Sequence, residues 1–207
     1  NNLIDLGSAI YNIHFPKTLE EALLARQSLS FDELFKLQLL AIIRKKSWVK
    51  EKIKPWEINN HKAKIDKFIK NLPFELTNAQ KNAVNKILKD LSKETSMNRL
   101  LEGDVGSGKT IVATISLYLS FLNGFQTAFM APTEILATQH YKIISALLSP
   151  LKIKVELATG STKKVNNNFD VIIGTHALIY SKVKFKNLGL IVIDEQQRFG
   201  VEQRGLL

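Results

Sequence analysis

The stretch Gly103-Asp104-Val105-Gly106-Ser107-Gly108-Lys109-Thr110 lies near the middle of this 207-residue chain and decides its fold. It matches the pattern G-x4-G-K-T, in which the glycines let successive backbone amides turn inward around phosphate oxygens. Given an average glycine usage of about 7%, a random match in a chain of this length has odds on the order of 1 in 100. Apolar residues on either side predict a strand before the loop and a helix after it, so a merely flexible glycine loop is the weaker interpretation.

The residue types of this loop indicate which groups of a nucleotide each could hold. The following helix presents its positive N-terminal end to the phosphates. Lys109 can reach the β- and γ-phosphates, and the Thr110 hydroxyl can ligate Mg²⁺. We therefore expect ATP and Mg²⁺ as cofactors. The remaining cofactor-binding candidates belong to the same loop and are Gly103, Gly106, Ser107 and Gly108.

A second signal is the run Leu190-Ile191-Val192-Ile193-Asp194-Glu195, an apolar strand that ends in two carboxylates. Such a pair is the expected Mg²⁺ partner of a phosphate-binding loop. Asp194 would hold Mg²⁺ through water, and Glu195 would orient and deprotonate the attacking water. Alone, a strand that ends in Asp-Glu is usually a solvated turn, but here it follows a phosphate-binding loop in the same α/β unit. The catalytic candidates are therefore Lys109, Asp194 and Glu195.

From Thr77 onward, the sequence alternates between helical and extended patterns. Strands that alternate with helices imply an α/β fold with a mostly parallel sheet covered on both faces. Ligands of such sheets bind at the carboxyl ends of the strands, where the glycine loop and Asp194 both lie. The expected helices are Asn78–Leu91, Lys109–Leu122 and Glu134–Leu147, and the expected strands are Asn98–Glu102, Gln126–Ala131, Lys154–Ala158, Val171–Ile173 and Leu190–Ile193.

The N-terminal third of the chain carries apolar residues at helical spacing and no catalytic pattern. Two capping-box signatures predict a short helix over Thr18–Gln27 and a longer helix over Ser30–Lys46. Lys62–Lys70 predicts a third, basic helix. We therefore expect a helical linker over residues 1–72 and an ATP-binding domain over residues 73–207, the latter cut short at its C-terminus.

The composition limits the classes of partner. The chain carries 29 Lys and Arg against 19 Asp and Glu, a formal net charge of +10. A basic balance favours polyanionic partners such as nucleic acid, although a lysine-rich solvated surface would give the same charge.

The absence of cysteine excludes disulfides and thiolate metal sites. No apolar run approaches the roughly 20 residues of a membrane span, and the N-terminus lacks both a signal-peptide pattern and Met. We expect no membrane partner, a cytoplasmic location, and a chain that begins inside a longer protein.

The carboxylate motif has a wider context that resembles a known family. Asp194-Glu195-Gln196-Gln197 resembles the Asp-Glu-x-x box of superfamily 2 helicases. Phe74-Glu75-Leu76-Thr77-Asn78-Ala79-Gln80 resembles the upstream segment in which a glutamine reads the adenine edge. The resemblance implies a RecA-like domain, makes Gln80 the candidate for adenine binding, and lets Phe74 pack beside the base. Without it, an exposed helix residue would be the better interpretation of Gln80.

Four longer stretches resemble the RecG family: Leu101–Thr110, Met130–Ala137, Gly174–Leu178 and Asp194–Arg204. The transcription-repair coupling factor Mfd shares much of this sequence. The N-terminal region, which includes the run Ile13-His14-Phe15-Pro16, resembles instead the linker between the wedge domain and the motor of RecG proteins. The resemblance implies a bacterial ATP-dependent DNA helicase or translocase that remodels branched DNA, such as stalled forks and Holliday junctions, in recombination and repair.

By their position in the family, three strand ends are candidates for contact with the DNA backbone. Their hydroxyls and helix-start amides could bind phosphate, although each alone is more often an ordinary helix cap. The fourth residue of the box, usually His in the family, helps to couple nucleotide state to DNA and is Gln197 here. The stretch Ser161–Phe169 is also shorter than in relatives, which usually carry a longer basic helix there. The DNA-binding candidates are Pro132, Thr133, Thr159, Gly160, Gly174 and Thr175.

In the family, the arginine finger and the other half of the ATP cleft come from a second RecA-like domain, and an OB-fold wedge precedes the linker. Neither is recognisable in these 207 residues. An arginine finger contributes about 10³–10⁵ in rate, so we expect this chain alone to bind nucleotide with little hydrolysis and no unwinding. Its expected partners are that second domain, the wedge and DNA.

The alternative functions for this chain are an Mfd-like translocase domain, a non-catalytic module that binds DNA or a partner, and a small-molecule kinase. The Asp-Glu box and the Gln80 segment argue against the kinase.

Overall fold

The computed structural model describes residues 3–49, 52–160, 168–175, 178 and 183–196. The chain divides into a first unit, Asn1–Ile53, and a second unit, Lys54–Leu207. The first unit holds helices α1 (Leu6–His14) and α2 (Leu19–Val49). The elements of the second unit are, in chain order, α3 (Ile58–Lys70), α4 (Asn78–Leu91), α5 (Lys109–Leu122), β1 (Gln126–Met130), α6 (Glu134–Leu148), a 3₁₀ turn (Ser149–Leu151), β2 (Val155–Ala158), β3 (Val171–Gly174) and β4 (Leu188–Ile193).

The first unit is a pair of helices that pack through small side chains. Asp5 caps α1, because its Oδ1 accepts a hydrogen bond from the Ser8 N–H at 3.0 Å. Ala9 of α1 and Ala25 of α2 are buried. The N–H of Ile4 donates to the hydroxyl of Ser28, also at 3.0 Å. Small residues at a helix contact allow close approach, and among the described residues these two helices join without a large apolar core.

The long helix α2 is one helix where the sequence predicts two. Its start is the expected one, because Thr18 Oγ1 accepts a hydrogen bond from the Glu21 N–H at 3.2 Å. The predicted new start at Ser30 is wrong, since α2 continues to Val49. No Gly or Pro interrupts residues 19–49, and most residues of this run are good helix formers. A capping signature inside such a run does not begin a helix, because the backbone N–H groups there already bond one turn back.

The helix α3 belongs to the second unit. Phe68 of α3 meets Tyr118 of α5 with ring centroids 5.0 Å apart. Just before α3, Trp56 stacks on Phe125 at 5.3 Å. This aromatic packing groups α3 with the α/β elements that follow it. The predicted division of the chain after α3, at residues 72 and 73, stays a prediction.

The four strands form one sheet in the order β2-β3-β1-β4, and every described pairing is parallel. The central strand β1 pairs with β3 from Thr127↔Val171 to Met130↔Gly174, and its pairing with β4 ends at Met130↔Ile193. Because all the strands run in the same direction, their carboxyl ends meet at one edge. The predicted mostly parallel α/β sheet is confirmed.

The two faces of the sheet pack against different sets of residues. Side chains alternate along each strand, so Phe129 of β1 and Ile173 of β3 point to the face that carries α5 and α6. Ala128 and Ile172 point to the opposite face, where they pack with Phe169 in a smaller apolar cluster. The helices α5 and α6 therefore cover one face of the sheet, and the smaller apolar cluster lies on the other.

The helix α5 is buried over most of its length. Every residue of Ile111–Ser120 is buried. The helices α3, α4 and α6 surround it, together with β1 and β4. A helix that is apolar on every side requires such surroundings, because none of its faces is suited to water. The hydroxyls of Thr114 and Ser116 donate back to the carbonyls of Thr110 and Val112, at 2.8 and 3.1 Å, and so find partners inside the helix.

Residues 98–102, just before the glycine loop, form no strand, and the prediction of a strand there is wrong. Leu100 is 65% exposed. Arg99 Nε donates to Asp90 of α4 at 2.6 Å, so the segment is held by a helix and not by a neighbouring strand. Apolar residues beside a loop fit a strand, but they do not supply the hydrogen-bonded partner that a strand requires.

The other elements predicted from Thr77 onward have both ends within two residues of those observed. The predicted basic helix begins earlier than expected, at Ile58 and not at Lys62. Among the described residues, no helix combines the length and the apolar character that crossing a membrane requires.

Candidate nucleotide and DNA site

The glycine loop is an exposed turn that leads directly into α5. Gly106 and Gly108 have φ of 82° and 78°, in the left-handed region that favours glycine. Gly108 is the N-cap of α5, and Val105 near the middle of the turn is 99% exposed. The first-turn N–H groups of a helix have no partner within the helix. Those N–H groups and the positive end of α5 together suit a bound phosphate.

Gln80 joins the start of α4 to this loop. Its Oε1 accepts from the Thr77 N–H at 2.9 Å, and Thr77 Oγ1 accepts from the Gln80 N–H at 3.2 Å, which completes a capping box. Its Nε2 donates to the Ser107 carbonyl at 2.9 Å. A Cβ on Gly108 would collide with this Nε2. The predicted adenine-binding residue thus lies against the phosphate loop, and Phe74, its predicted neighbour, is 48% exposed. Their adenine-binding roles stay predictions.

Lys109 lies across the loop and near the end of β4. Its Nζ donates to the carbonyls of Gly103 and Asp104 at 2.6 and 2.9 Å. Its ammonium also helps to lower the pKa of Asp194. Thr110 follows it, half-buried, in the first turn of α5. The Lys109 ammonium therefore lies beside both the glycine loop and Asp194, and its phosphate-binding role stays a prediction.

A histidine holds the Asp194 carboxylate. His140 Nε2 lies 2.8 Å from Asp194 Oδ2, and this hydrogen bond is the main cause of the lowered pKa of Asp194. Burial opposes the shift, while the electrostatic effect of His140, the Glu195 N–H and the Lys109 ammonium add to it. An ionised carboxylate only accepts hydrogen bonds, so His140 is the donor. The Asp194 N–H donates to the Met130 carbonyl at 2.8 Å and fixes the backbone at the same point.

Glu195 has a φ of 51°, which is uncommon for a residue other than glycine. Residues held at such angles cluster at functional sites.

Within the described part of the chain, no group of three or more His, Cys, Asp or Glu could hold a metal ion by itself. Mg²⁺ is commonly bound by one or two carboxylates together with substrate phosphates. Thr110 and Asp194 therefore fit an Mg²⁺ that binds together with a nucleotide.

The predicted DNA-binding residues lie at the ends of the other three strands, along the same edge of the sheet. The Ala131 N–H donates to the Gly174 carbonyl at 2.8 Å, which joins the ends of β1 and β3. A Cβ on Gly160, after β2, would lie 2.9 Å from a carboxylate oxygen of Glu134 at the start of α6. Thr133 is the exposed N-cap of α6. The fold thus brings together all six predicted residues: Pro132 and Thr133 after β1, Thr159 and Gly160 after β2, and Gly174 and Thr175 at the end of β3.

Three of these residues are packed into the protein. Thr159 is 9% exposed and Thr175 is 4% exposed. A Cβ on Gly174 would collide with the Ala158 carbonyl and would lie 2.8 Å from the Leu178 side chain. The close approach of β2 to β3 is therefore a sufficient structural reason for this glycine. The edge offers DNA the start of α6 more openly than the ends of β2 and β3, and the DNA-binding roles stay predictions.

The sequence gives no sign of His140 as part of the site. It lies 54 residues before Asp194, and its place on α6 has meaning only after the sheet has formed. Gln197, the predicted coupling residue, lies outside the described residues, as do residues 161–167 of the predicted shortened stretch.

Comparison with known proteins assigns the family. The model of the DEAD/DEAH box helicase family matches residues 77–206. The chain belongs to this family. The ATP-dependent DNA helicase RecG of Synechocystis sp. is 46% identical to this DEAD/DEAH box protein over 99% of the chain, and that of Thermotoga maritima is 48% identical over 99%. The predicted resemblance to helicases of the RecG type is confirmed.

A solved structure of RecG bound to a three-way DNA junction matches 96% of this DEAD/DEAH box chain, with 47% sequence identity and a TM-score of 0.81. This match supports the fold described above. The chain spans only 26% and 27% of the length of the two RecG relatives, and 28% of the solved chain. What those longer proteins do as wholes is therefore carried to this chain only as a proposal.

Proposed function

We propose that the chain is the nucleotide-binding part of an ATP-dependent motor that acts on branched DNA. The relatives named ATP-dependent DNA helicase RecG, and the RecG structure with a three-way junction, support this substrate class. The observation that carries the proposal is the meeting of the glycine loop, Lys109 and the ionised Asp194 at one edge of a parallel sheet. A phosphate-binding loop beside a carboxylate is what binding of a nucleoside triphosphate with Mg²⁺ requires.

Each residue of the site has a distinct role in this proposal. The backbone of Gly103–Thr110 would hold the phosphates, and the Lys109 ammonium would pair with their charge. Thr110 and Asp194 would hold Mg²⁺, which when bound supplies positive charge against the phosphates. Glu195 would orient a water molecule and take its proton.

The nucleotide base would lie beside Gln80 and Phe74. Gln80 already uses one end of its amide to cap α4 and the other to bond the Ser107 carbonyl. Each end of an amide has capacity for a second hydrogen bond, so Gln80 could contact the base without leaving α4. A base bound to Gln80 would therefore act directly on the glycine loop through the hydrogen bond from Gln80 to the Ser107 carbonyl.

DNA would bind along the same edge through its backbone, mainly at Pro132, Thr133 and Gly160. The net charge of +10 supports a polyanionic partner. A second RecA-like domain and a wedge domain would complete the motor, and Gln197 would help to couple it to DNA. Since the relatives are bacterial and bacterial DNA lies in the cytoplasm, the proposal includes a cytoplasmic location.

Calorimetric titration of the chain with ATP and Mg²⁺ tests the nucleotide site. We expect binding by the parent chain, loss of binding in Lys109→Ala, and unchanged binding in Lys89→Ala, which removes an exposed lysine of α4. Equal binding by the parent and Lys109→Ala would overturn the proposed site. Absence of binding by the parent would also count against it.

The motor itself is tested by adding a separately produced second motor domain of a RecG relative. We expect the mixture to show ATP hydrolysis that branched DNA stimulates, because the second domain supplies the other half of the cleft. If ATP still binds but no stimulated hydrolysis returns, the chain is a non-catalytic module and the motor proposal fails.

A further inference from the structure

The helix α6 links the two parts of the proposed site. Its N-cap, Thr133, stands at the edge where DNA would bind, and its Oγ1 accepts a hydrogen bond from the Leu136 N–H at 3.3 Å. His140 lies two turns further along, roughly 10 Å at a rise of 1.5 Å per residue. Its ring points toward β4, where it meets Asp194. One continuous helix therefore contacts both the edge proposed to bind DNA and Asp194, the proposed Mg²⁺ ligand.

His140 is fixed by packing as well as by its hydrogen bond. Its ring lies against Phe129 of the central strand, with centroids 4.7 Å apart, and its side chain is 12% exposed. Phe129 pairs in register with Val192, two residues before Asp194. The imidazole thus packs against β1, level with the C-terminal end of β4. This packing restricts the direction in which its Nε2–H can point.

The second nitrogen of this ring indicates what the histidine is for. Nδ1 is buried and finds no hydrogen-bond partner among the described residues. A buried polar atom without a partner is unfavourable, and an apolar ring would fill the same space beside Phe129 without that penalty. The bond from Nε2 to the ionised Asp194 is the contact that an apolar ring cannot make, and charge-assisted bonds of this kind are the strong ones.

We propose that His140 is a positioning residue that fixes the orientation of the Asp194 carboxylate for Mg²⁺. The proposal rests on the proposed function, since it assumes that Asp194 serves a magnesium–nucleotide complex. By engaging Oδ2, His140 restrains rotation of the carboxylate before the cation binds. Partners of this kind affect metal affinity by about 10–100-fold. His140 is part of α6. Any shift of that helix at Thr133 therefore also moves the His140 Nε2–H that is bonded to Asp194.

Two substitutions separate the hydrogen bond from the packing. His140→Phe keeps an aromatic ring against Phe129 but removes the donor. His140→Gln restores an amide N–H at about the position of Nε2. Each variant would be titrated with Mg²⁺ at a fixed concentration of ATP, with heat of binding or a fluorescent ATP analogue as the readout. The same nucleotide would also be titrated in EDTA, and thermal unfolding would be recorded for each protein.

We expect His140→Phe to raise the Mg²⁺ concentration for half-maximal nucleotide binding by about tenfold or more, with nucleotide binding in EDTA unchanged. The thermal unfolding curve verifies that each variant is folded at the temperature of the titration. His140→Gln should recover most of the parent's Mg²⁺ affinity. An unchanged midpoint in His140→Phe would overturn the proposal, and so would a weakening that appears equally in EDTA, which would indicate a structural role. Failure of the parent to bind nucleotide, or binding that ignores Mg²⁺, would instead show that the proposed nucleotide or magnesium site is wrong and would overturn this inference with it.

Discussion

Replacing Gly108 with alanine tests how Gln80 lies on the glycine loop, and Gly124 is a matched control. Both glycines have φ of 78°, one at each end of α5. An alanine in this left-handed region costs about 1–2 kcal/mol, and restriction of the unfolded chain offsets about 0.4–1 kcal/mol of this. From the backbone alone, either substitution should lower the free energy of unfolding by roughly 1 kcal/mol.

The two glycines differ in what a new side chain would meet. A Cβ on Gly124 finds nothing within 4 Å, whereas a Cβ on Gly108 collides with Gln80 Nε2. Because this amide ends a flexible side chain, we expect it to swing away and give up its hydrogen bond to the Ser107 carbonyl. Loss of such a bond costs about 0.5–1.5 kcal/mol. Gly108→Ala should therefore be about 1 kcal/mol more destabilising than Gly124→Ala.

Urea unfolding of both alanine variants, made in the parent chain and in Gln80→Ala, measures this difference. In the Gln80→Ala background the extra cost of Gly108→Ala should vanish, because no amide remains to be displaced. The comparison is valid if the dependence of stability on urea has the same slope in all variants. An extra cost that persists without Gln80, or one that is absent in the parent chain, would refute the placement of Gln80 on the loop.

Two further predictions concern the sheet edge and the outer side of α4. Gly174→Ala should lower the free energy of unfolding by about 1–3 kcal/mol, because its methyl group meets a backbone carbonyl of the neighbouring strand. Gly160→Ala meets only a movable carboxylate and should cost less in the same urea experiment, so equal costs would contradict the reasoning. Asp90→Asn should cost about 0.2–1 kcal/mol near neutral pH, as for other partly exposed ion pairs. Burial raises the pKa of Asp90, but the hydrogen bonds from Lys93 and Arg99 outweigh it and leave the pKa lowered. The contribution of Asp90 is therefore complete above its unfolded pKa and is lost as the pH falls through the folded value, and a difference in stability that persists in acid would contradict this assignment.

The ends of some helices can be predicted because their signals are local. Thr77 and Gln80 complete a capping box within four residues, so the start of α4 needs no distant partner. The start of α5 follows in the same way from the glycine turn that ends at Gly108. The matching signal at Ser30 fails, because the chain on both sides of it is already helical and the hydroxyl has no free helix end to cap.

Contacts between distant segments could not be predicted from the sequence. The alternation of strands and helices places Asp194 at the same sheet edge as the glycine loop, because parallel strands end together. It does not show that His140 reaches Asp194, since that contact depends on the position of α6 above β1. Nor does it show that Trp56 packs on Phe125, which groups α3 with the second unit.

The burial of α5 also decides how its amide hydrogens exchange with solvent. Exchange within Ile111–Ser120 requires the elements that surround this helix to separate, so it should approach the rate set by unfolding of the whole unit. The loop that precedes the helix, with Val105 fully in water, should exchange from local openings alone. A readily exchanging turn is thus joined within a few residues to a slowly exchanging helix.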